Sequence, residues 1–470
     1  MKHRQVIAYQ KDLFIEQVKH TMCPLDHCKD VNRAKSGQER QVSKEGQQGR
    51  ALAENLMTIV CSSDNLKRAY KQVKRNKGVA GIDQMPTGKF SDWFIVEGEL
   101  LINDLLLGNY EPQGVKQVEI PKPKGGMRKL GIPTVRDRII QQSIAQVLNP
   151  IYEREFSERS YGYRPRRNAH KALRQAVEYV TEGREVVVDM DMKSFFDEVN
   201  HDRLMYELST KIGDKTLLRL IRKYLQSGIL LGGLVSQRTK GTPQGSPLSP
   251  LLSNIVLDEL DKELENRGHC FVRFADDFSI YVRSKKAGER VKNSISAFIT
   301  NKLKLKVNEE KSAVCEVDKT ILLGHTISKS GDLLIAKENI KRFKNSIRLL
   351  TKRKRGVSFE QIISELNPKL RGWFEYFKHT KSKGLFQNLD AWIRRKLRCF
   401  RIKQTKRAIT LVRFLKKHGV KEYQSWIIAL SGKGWWRKSA APQIHQAMGN
   451  LWFREQNLFS LSLNYKKLKY

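Results

Sequence analysis

The chain has 470 residues, 40% of them hydrophobic, and carries 88 Lys and Arg against 49 Asp and Glu for a net charge of +39. That length accommodates two to four domains with cores of their own, and a charge so far beyond what solubility needs points to a polyanionic partner, nucleic acid before any other. No apolar run approaches the roughly 18 uninterrupted residues of a spanning helix, the opening MKHRQVIAYQKD lacks the apolar core of a secretory signal, and six scattered cysteines make no disulfide framework, so a cytoplasmic protein with reduced thiols and no membrane partner is expected.

In chain order, residues 1–50 are polar and rich in Gln, Lys and Arg, and read as a polar N-terminal extension with some helix. Within it, His20, Cys23, His27 and Cys28 have the ligand types for zinc, but their spacing is crowded and no second pair lies nearby, which favours a plain surface helix or loop. From 51 to 336, strand signals such as EVVVDMDM and HCFVRFAD alternate with helical ones such as DRIIQQSIAQVLNPIYEREF, the pattern of a mixed α and β catalytic domain.

Three stretches of this domain carry chemistry. In EVVVDMDMKSFFDEVNHDRL, Asp189 and Asp191 lie two apart on a strand, share a face and precede a helix. KGTPQGSPLSPLLSNI opens as a turn and continues as a helix, so Gln244 and Gly245 stand at a helix entrance, where a structural cap would also account for them. In FVRFADDFSIYV, Asp276 and Asp277 fit a hairpin tip. Alone they could be a solvated turn. Two carboxylate-bearing strands side by side, however, suit a pair of Mg²⁺ ions about 4 Å apart, which activate a 3′-hydroxyl and stabilise departing pyrophosphate.

The region from Lys337 to Tyr470 has 33 basic and 7 acidic residues, as a binding region would. In NLDAWIRRKLRCFRIKQTKR, helical spacing puts Leu389, Trp392, Ile393, Leu397 and Phe400 on one face and spreads Arg394, Arg395, Lys396, Arg398 and Arg401 over the others. A basic helix docked by its apolar stripe can grip phosphates without reading sequence. Trp373, Trp435 and Trp436, with Arg371, Lys433 and Arg437, could stack on and clamp irregular RNA, or the tryptophans could be core.

A strand Asp, a Pro-Gln-Gly turn and an Asp-Asp hairpin, in that order, resemble the palm of reverse transcriptases, most closely those encoded by group II introns. The resemblance extends to NKGVAGID, IPKPKGGMRKLGIPTVRDRIIQQSIAQVL, FSERSYGYRPRRNAHKAL, NEEKS and LLGHTI, and in the C-terminal third to PKLRGWFEYFKHT and GKGWWRKS. Where the family commonly has Tyr before Ala-Asp-Asp, this chain has Phe274, which keeps the ring and loses a hydroxyl.

The resemblance implies an α+β right-hand polymerase: fingers and palm with antiparallel sheet over 51–336, a helical thumb and maturase (X) region over 337–415, and a C-terminal maturase segment over 416–470. It implies that Asp191, Asp276 and Asp277 hold two Mg²⁺ ions, and leaves a structural role open for Asp189. It further implies that Phe196 excludes a ribose 2′-hydroxyl while Phe195 packs in the core, and that Lys122, Arg128, Lys129, Gln244 and Gly245 meet the incoming dNTP. Lys311 matches the lysine proposed to protonate pyrophosphate, although an exposed lysine would read the same way.

Such a protein binds its group II intron RNA through residues such as Arg371, Arg394, Arg395, Lys396, Arg398, Lys433 and Arg437, assists splicing, and copies the intron into a DNA target, where it would be nucleoid-associated. A related enzyme adapted to defence or spacer acquisition, and a splicing-only maturase, are the alternatives; monomer and homodimer stay open. Many relatives end in a His-Asn-His nuclease. The 31 residues after Ser439 hold His445 as their only histidine, and no cysteine follows Cys399, so no second-strand cleavage is expected.

Overall fold

The structure, a computed structural model, describes residues 53–121, 126–231, 234–236 and 238–468. The polar extension with its His20, Cys23, His27 and Cys28 cluster, and Lys122, lie outside the described residues, and of Arg128 only the backbone is described. The chain divides into two compact units, one comprising Val186–Val314 and the residues up to Ala176, the other Val177–Glu185 and everything from Cys315.

In the first unit, helices Leu56–Val60, Ser63–Arg75 and Phe90–Leu107 precede the hairpin of β1 (Val115–Pro121) and β2 (Met127–Ile132), paired antiparallel with Ile120 opposite Arg128. The helix Val135–Glu153 starts where Thr134 accepts the Asp137 backbone N–H at 3.1 Å, one donor the helix cannot satisfy itself. Its Ile139, Ile140, Ile144 and Leu148 recur at helical spacing and are each 1% exposed or less, which is why this polar-looking stretch forms a central core helix. With β4 (Ile229–Leu231) and β5 (Leu234–Ser236) the first hairpin completes a sheet in the order β2-β1-β4-β5.

The second sheet has the order β6-β7-β3-β8, from β3 (Val186–Met190), β6 (Cys270–Phe274), β7 (Asp277–Val282) and β8 (Ala313–Glu316). β7 pairs antiparallel with both β3 and β6. Val188, Phe271, Phe278 and Ile280 are fully buried, packed with helix Ser249–Asn266 and its buried Leu252, Leu257 and Leu260. One face of the sheet is thereby anchored.

In the second unit β9 (His325–Ile327) and β10 (Leu333–Ile335) pair antiparallel, and helices follow to residue 467. Helix Lys383–Gln404 buries Leu389, Ile393, Leu397 and Phe400 as its spacing predicts. Among the described residues no helix is long and apolar enough to cross a membrane.

Candidate functional site

Register explains how three aspartates meet. β3 and β7 pair with Met190 opposite Phe278, so Asp191, one residue past β3, is level with Asp277, the first residue of β7. The turn between β6 and β7 has two residues, Ala275 and Asp276, with Phe274 opposite Asp277. The hairpin tip is therefore Ala275-Asp276, one residue earlier than an Asp-Asp tip. Such short turns need φ > 0 at the first central position, and Ala275 supplies it at φ 60°. Asp189 stays within β3 and accepts the Ser279 hydroxyl at 3.1 Å.

Asp191 is held by the loop that contains NEEKS. Its backbone N–H donates to Ser312 Oγ at 3.1 Å, its carbonyl accepts the Asn308 N–H at 2.8 Å, and its Oδ2 accepts Asn308 Nδ2 at 2.9 Å. Lys311 Nζ stands 3.4 Å from the same oxygen on a side chain 62% exposed. Sequence reasoning took Lys311 from this motif and missed Asn308 and Ser312. The available signal was their polarity: short side chains that bond backbone are common where a loop must hold a shape.

Like charge gathers at Asp277, with Lys311 only partly offsetting it. Protein packed around the carboxyl of Asp277 desolvates it, although the residue's surface is open, and Asp276, Asp191 and Asp189 add like charge; together these push it up to about 6, with Lys311 opposing. Oxygen donors in this state suit a hard divalent cation. Among the described residues no three acidic, His or Cys side chains close around an ion by themselves.

In the same unit lies a cavity of about 400 Å³ bordered by Phe196, Gln244, Gly245, Arg138 and Tyr163, a size that suits a small organic ligand. Phe196 is 7% exposed, against 1% for Phe195, which meets it edge-on at 5.4 Å. Phe195 is core and Phe196 the cavity wall. Gly245 has φ 109°, and a Cβ there would stand 2.8 Å from the Gly131 carbonyl, so only glycine fits. Gln244 is set against β2 by its carbonyl, which accepts the Gly131 N–H at 2.8 Å. Arg138, absent from the sequence reading, donates to the Val79 carbonyl at 2.6 Å; burial lowers its pKa, opposed by Asp83.

The basic residues of the second unit separate into classes that spacing did not show. Lys433 and Arg437 are exposed, as is Arg371, whose guanidinium lies 5.5 Å from the Phe459 ring. Arg395 covers the Trp436 ring at 4.1 Å, with Lys396 at 5.1 Å, and Trp436 keeps 37% of its surface open. Arg394 is half-buried. Arg398 corrects the expectation: it is buried, bonds the Met448 carbonyl at 2.9 Å and faces His445 at 3.3 Å. Burial and Arg394 bring its pKa down to about 10. It braces the fold and is not offered to RNA. Trp373 is likewise packed, stacked on Phe343 at 4.1 Å.

Two family models match the chain. The family described as reverse transcriptase (RNA-dependent DNA polymerase) matches residues 120–327, and the group II intron maturase-specific domain matches 340–419. Protein YkfC of Escherichia coli K12 is 31% identical over 315 residues, covering 58% of this chain and 83% of its own. The group II intron-encoded protein LtrA of Lactococcus lactis is 32% identical over 313 residues, covering 52% of each chain; this chain thus spans about half the length of LtrA. Among solved structures, a partial Cas6-RT-Cas1–Cas2 complex is 25% identical, with 52% of this chain and 42% of that chain covered and a TM-score of 0.35.

Proposed function

The chain belongs to the reverse transcriptases encoded by group II introns, RNA-directed DNA polymerases joined to a maturase-specific domain, and from that premise we propose that it binds one intron RNA, assists its splicing and copies it into DNA. The observation that supports the polymerase half is the β3–β7 register, which sets Asp191 level with Asp277, together with the charge that Asp276 and Asp191 both add at the Asp277 carboxyl.

These three carboxylates would hold two Mg²⁺ ions, which would supply a lowered pKa at the primer 3′-hydroxyl and charge neutralisation on the departing pyrophosphate. The primer 3′-hydroxyl gives up its proton to solvent as its oxygen attacks the α-phosphorus of the dNTP; a new P–O bond forms, and the bond to pyrophosphate breaks. Asn308 and Ser312 hold Asp191 in register for that geometry. Phe196 and Gln244 would border the sugar side of the incoming nucleotide, and Lys122 and Arg128 are the residues proposed to meet its triphosphate. Lys311, 3.4 Å from Asp191 Oδ2, would give a proton to pyrophosphate. In the second unit Arg371, Arg395, Lys396, Lys433 and Arg437 carry RNA backbone contacts, with Trp436 as a stacking face.

The test uses Asp276→Ala. Primer extension on an RNA template with Mg²⁺ should be lost, while intron splicing assisted by the same protein persists, because splicing rests on binding. Extension at the wild-type rate would remove the carboxylate assignment. Loss of splicing together with extension would show that the two roles are not separable in this way.

A further inference from the structure

Among the described residues Arg273 is the largest side chain with no solvent exposure. It lies in β6, three residues before Asp276. Its Nε and Nη2 donate to Asp261 Oδ1 and Oδ2 at 2.7 and 2.5 Å. Its Nη1 donates to the Asn254 amide oxygen at 3.0 Å and to the Ala275 carbonyl at 2.9 Å. Asn254 in turn donates from Nδ2 to the Gly162 carbonyl at 3.0 Å. Gly162 is pressed on the hairpin itself: a Cβ there would stand 2.9 Å from the Phe274 carbonyl carbon and closer still to the Ala275 nitrogen. The flanking backbone is tied as well, Tyr161 N–H to the Arg273 carbonyl at 2.8 Å and Arg273 N–H to the Arg159 carbonyl at 3.0 Å.

A buried ion pair is a poor device for stability, since apolar side chains of similar volume commonly do as well or better. What it supplies here is direction. Ala275 sits in the left-handed region, which an L-residue with a Cβ occupies at a cost and keeps only where its surroundings over-determine it. A planar guanidinium anchored by both oxygens of Asp261 leaves Nη1 aimed in one fixed direction, and the Ala275 carbonyl lies there.

We propose that Arg273, held by Asp261 and Asn254, is the positioning residue of the hairpin: by fixing the Ala275 carbonyl it orients Asp276 and Asp277 toward Asp191 for divalent-ion binding. This rests on the reading that Asp276 and Asp277 hold the ions. Arg273 itself touches neither substrate nor ion. Lysine in its place keeps the charge for Asp261 but cannot bond two carboxylate oxygens, an amide and a carbonyl from one planar group.

The experiment compares wild type, Arg273→Lys, and the double variant Arg273→Met with Asp261→Leu, which leaves no charge unpaired. Mn²⁺ binding is followed by electron paramagnetic resonance on the full chain with a primer–template ended by a dideoxynucleotide, so no chemistry occurs. Single-nucleotide addition is measured separately across Mg²⁺ concentrations, and circular dichroism reports folding. In folded protein the Mn²⁺ dissociation constant should rise about tenfold and the half-saturating Mg²⁺ for addition should rise with it, the rate recovering at high Mg²⁺.

A purely structural role would lower the active fraction and leave both midpoints where they were, which overturns the proposal. So does failure of both variants to fold, which would make Arg273 a stability element. Asp276→Asn runs in parallel. If it binds Mn²⁺ and extends primers like wild type, the underlying carboxylate reading fails; if it loses both while the Arg273 variants lose neither, only the positioning role fails.

Discussion

Asn308→Ala tests whether the loop after the palm hairpin serves catalysis by holding Asp191. The substitution removes the donor that stands 2.9 Å from Asp191 Oδ2 and keeps the backbone bond from Asn308 N–H to the Asp191 carbonyl at 2.8 Å, so the loop should keep its path. Hydrogen bonds to charged groups contribute about 1.5–3 kcal/mol. The Asp191 side chain is 29% exposed, water replaces part of the lost bond, and a value at or just below the low end, about 1.4 kcal/mol, applies. That corresponds to about tenfold in the rate of nucleotide addition, with about 1 kcal/mol or less lost in stability.

Pre-steady-state addition of one nucleotide to a DNA primer on an RNA template, at saturating dNTP and Mg²⁺, reads the effect. A rate within twofold of wild type in folded protein would refute the positioning role, and an equal fall in RNA affinity would show a general defect. Lys311→Ala is the companion measurement. As an exposed ion pair its contact with Asp191 is worth at most about 1 kcal/mol, so a much larger fall accompanied by a changed pH profile would mark Lys311 as a proton donor.

Phe196→Val should open the cavity wall beside the sugar and raise ribonucleotide over deoxynucleotide incorporation by about 10- to 100-fold, measured as the ratio of their specificity constants; an unchanged ratio would make Phe196 a core residue only. Lys433→Ala with Arg437→Ala, both exposed, should leave stability within about 0.5 kcal/mol and flatten the salt dependence of RNA binding by up to about two charges. Arg398→Ala should do the opposite, costing about 1–3 kcal/mol by leaving the Met448 carbonyl without its donor and leaving the salt slope unchanged; equal slopes for the two variants would contradict this division.

The sequence by itself determined the classes of element and the positions of the aspartates along them. EVVVDMDM and FVRFADD announce strands because β-branched and aromatic residues bracket the acids, and a residue just past one strand can meet the first residue of its neighbour. The apolar stripe from Leu389 to Phe400 is legible because helical period depends only on local spacing. What tertiary structure alone decided is which polar side chains turn inward. Arg398 and Arg395 sit in one basic run, yet one is buried and the other covers an exposed Trp436, since neighbours distant in sequence set the environment of each. Arg273 looks like a solvated interruption of an apolar strand until Asp261, Asn254 and Gly162 are brought around it. Asn308 and Ser312 gain their meaning only when the chain returns, more than a hundred residues later, to close on Asp191. Charge and periodicity are properties of a segment, whereas a hydrogen-bond partner across the fold is a property of the packed chain.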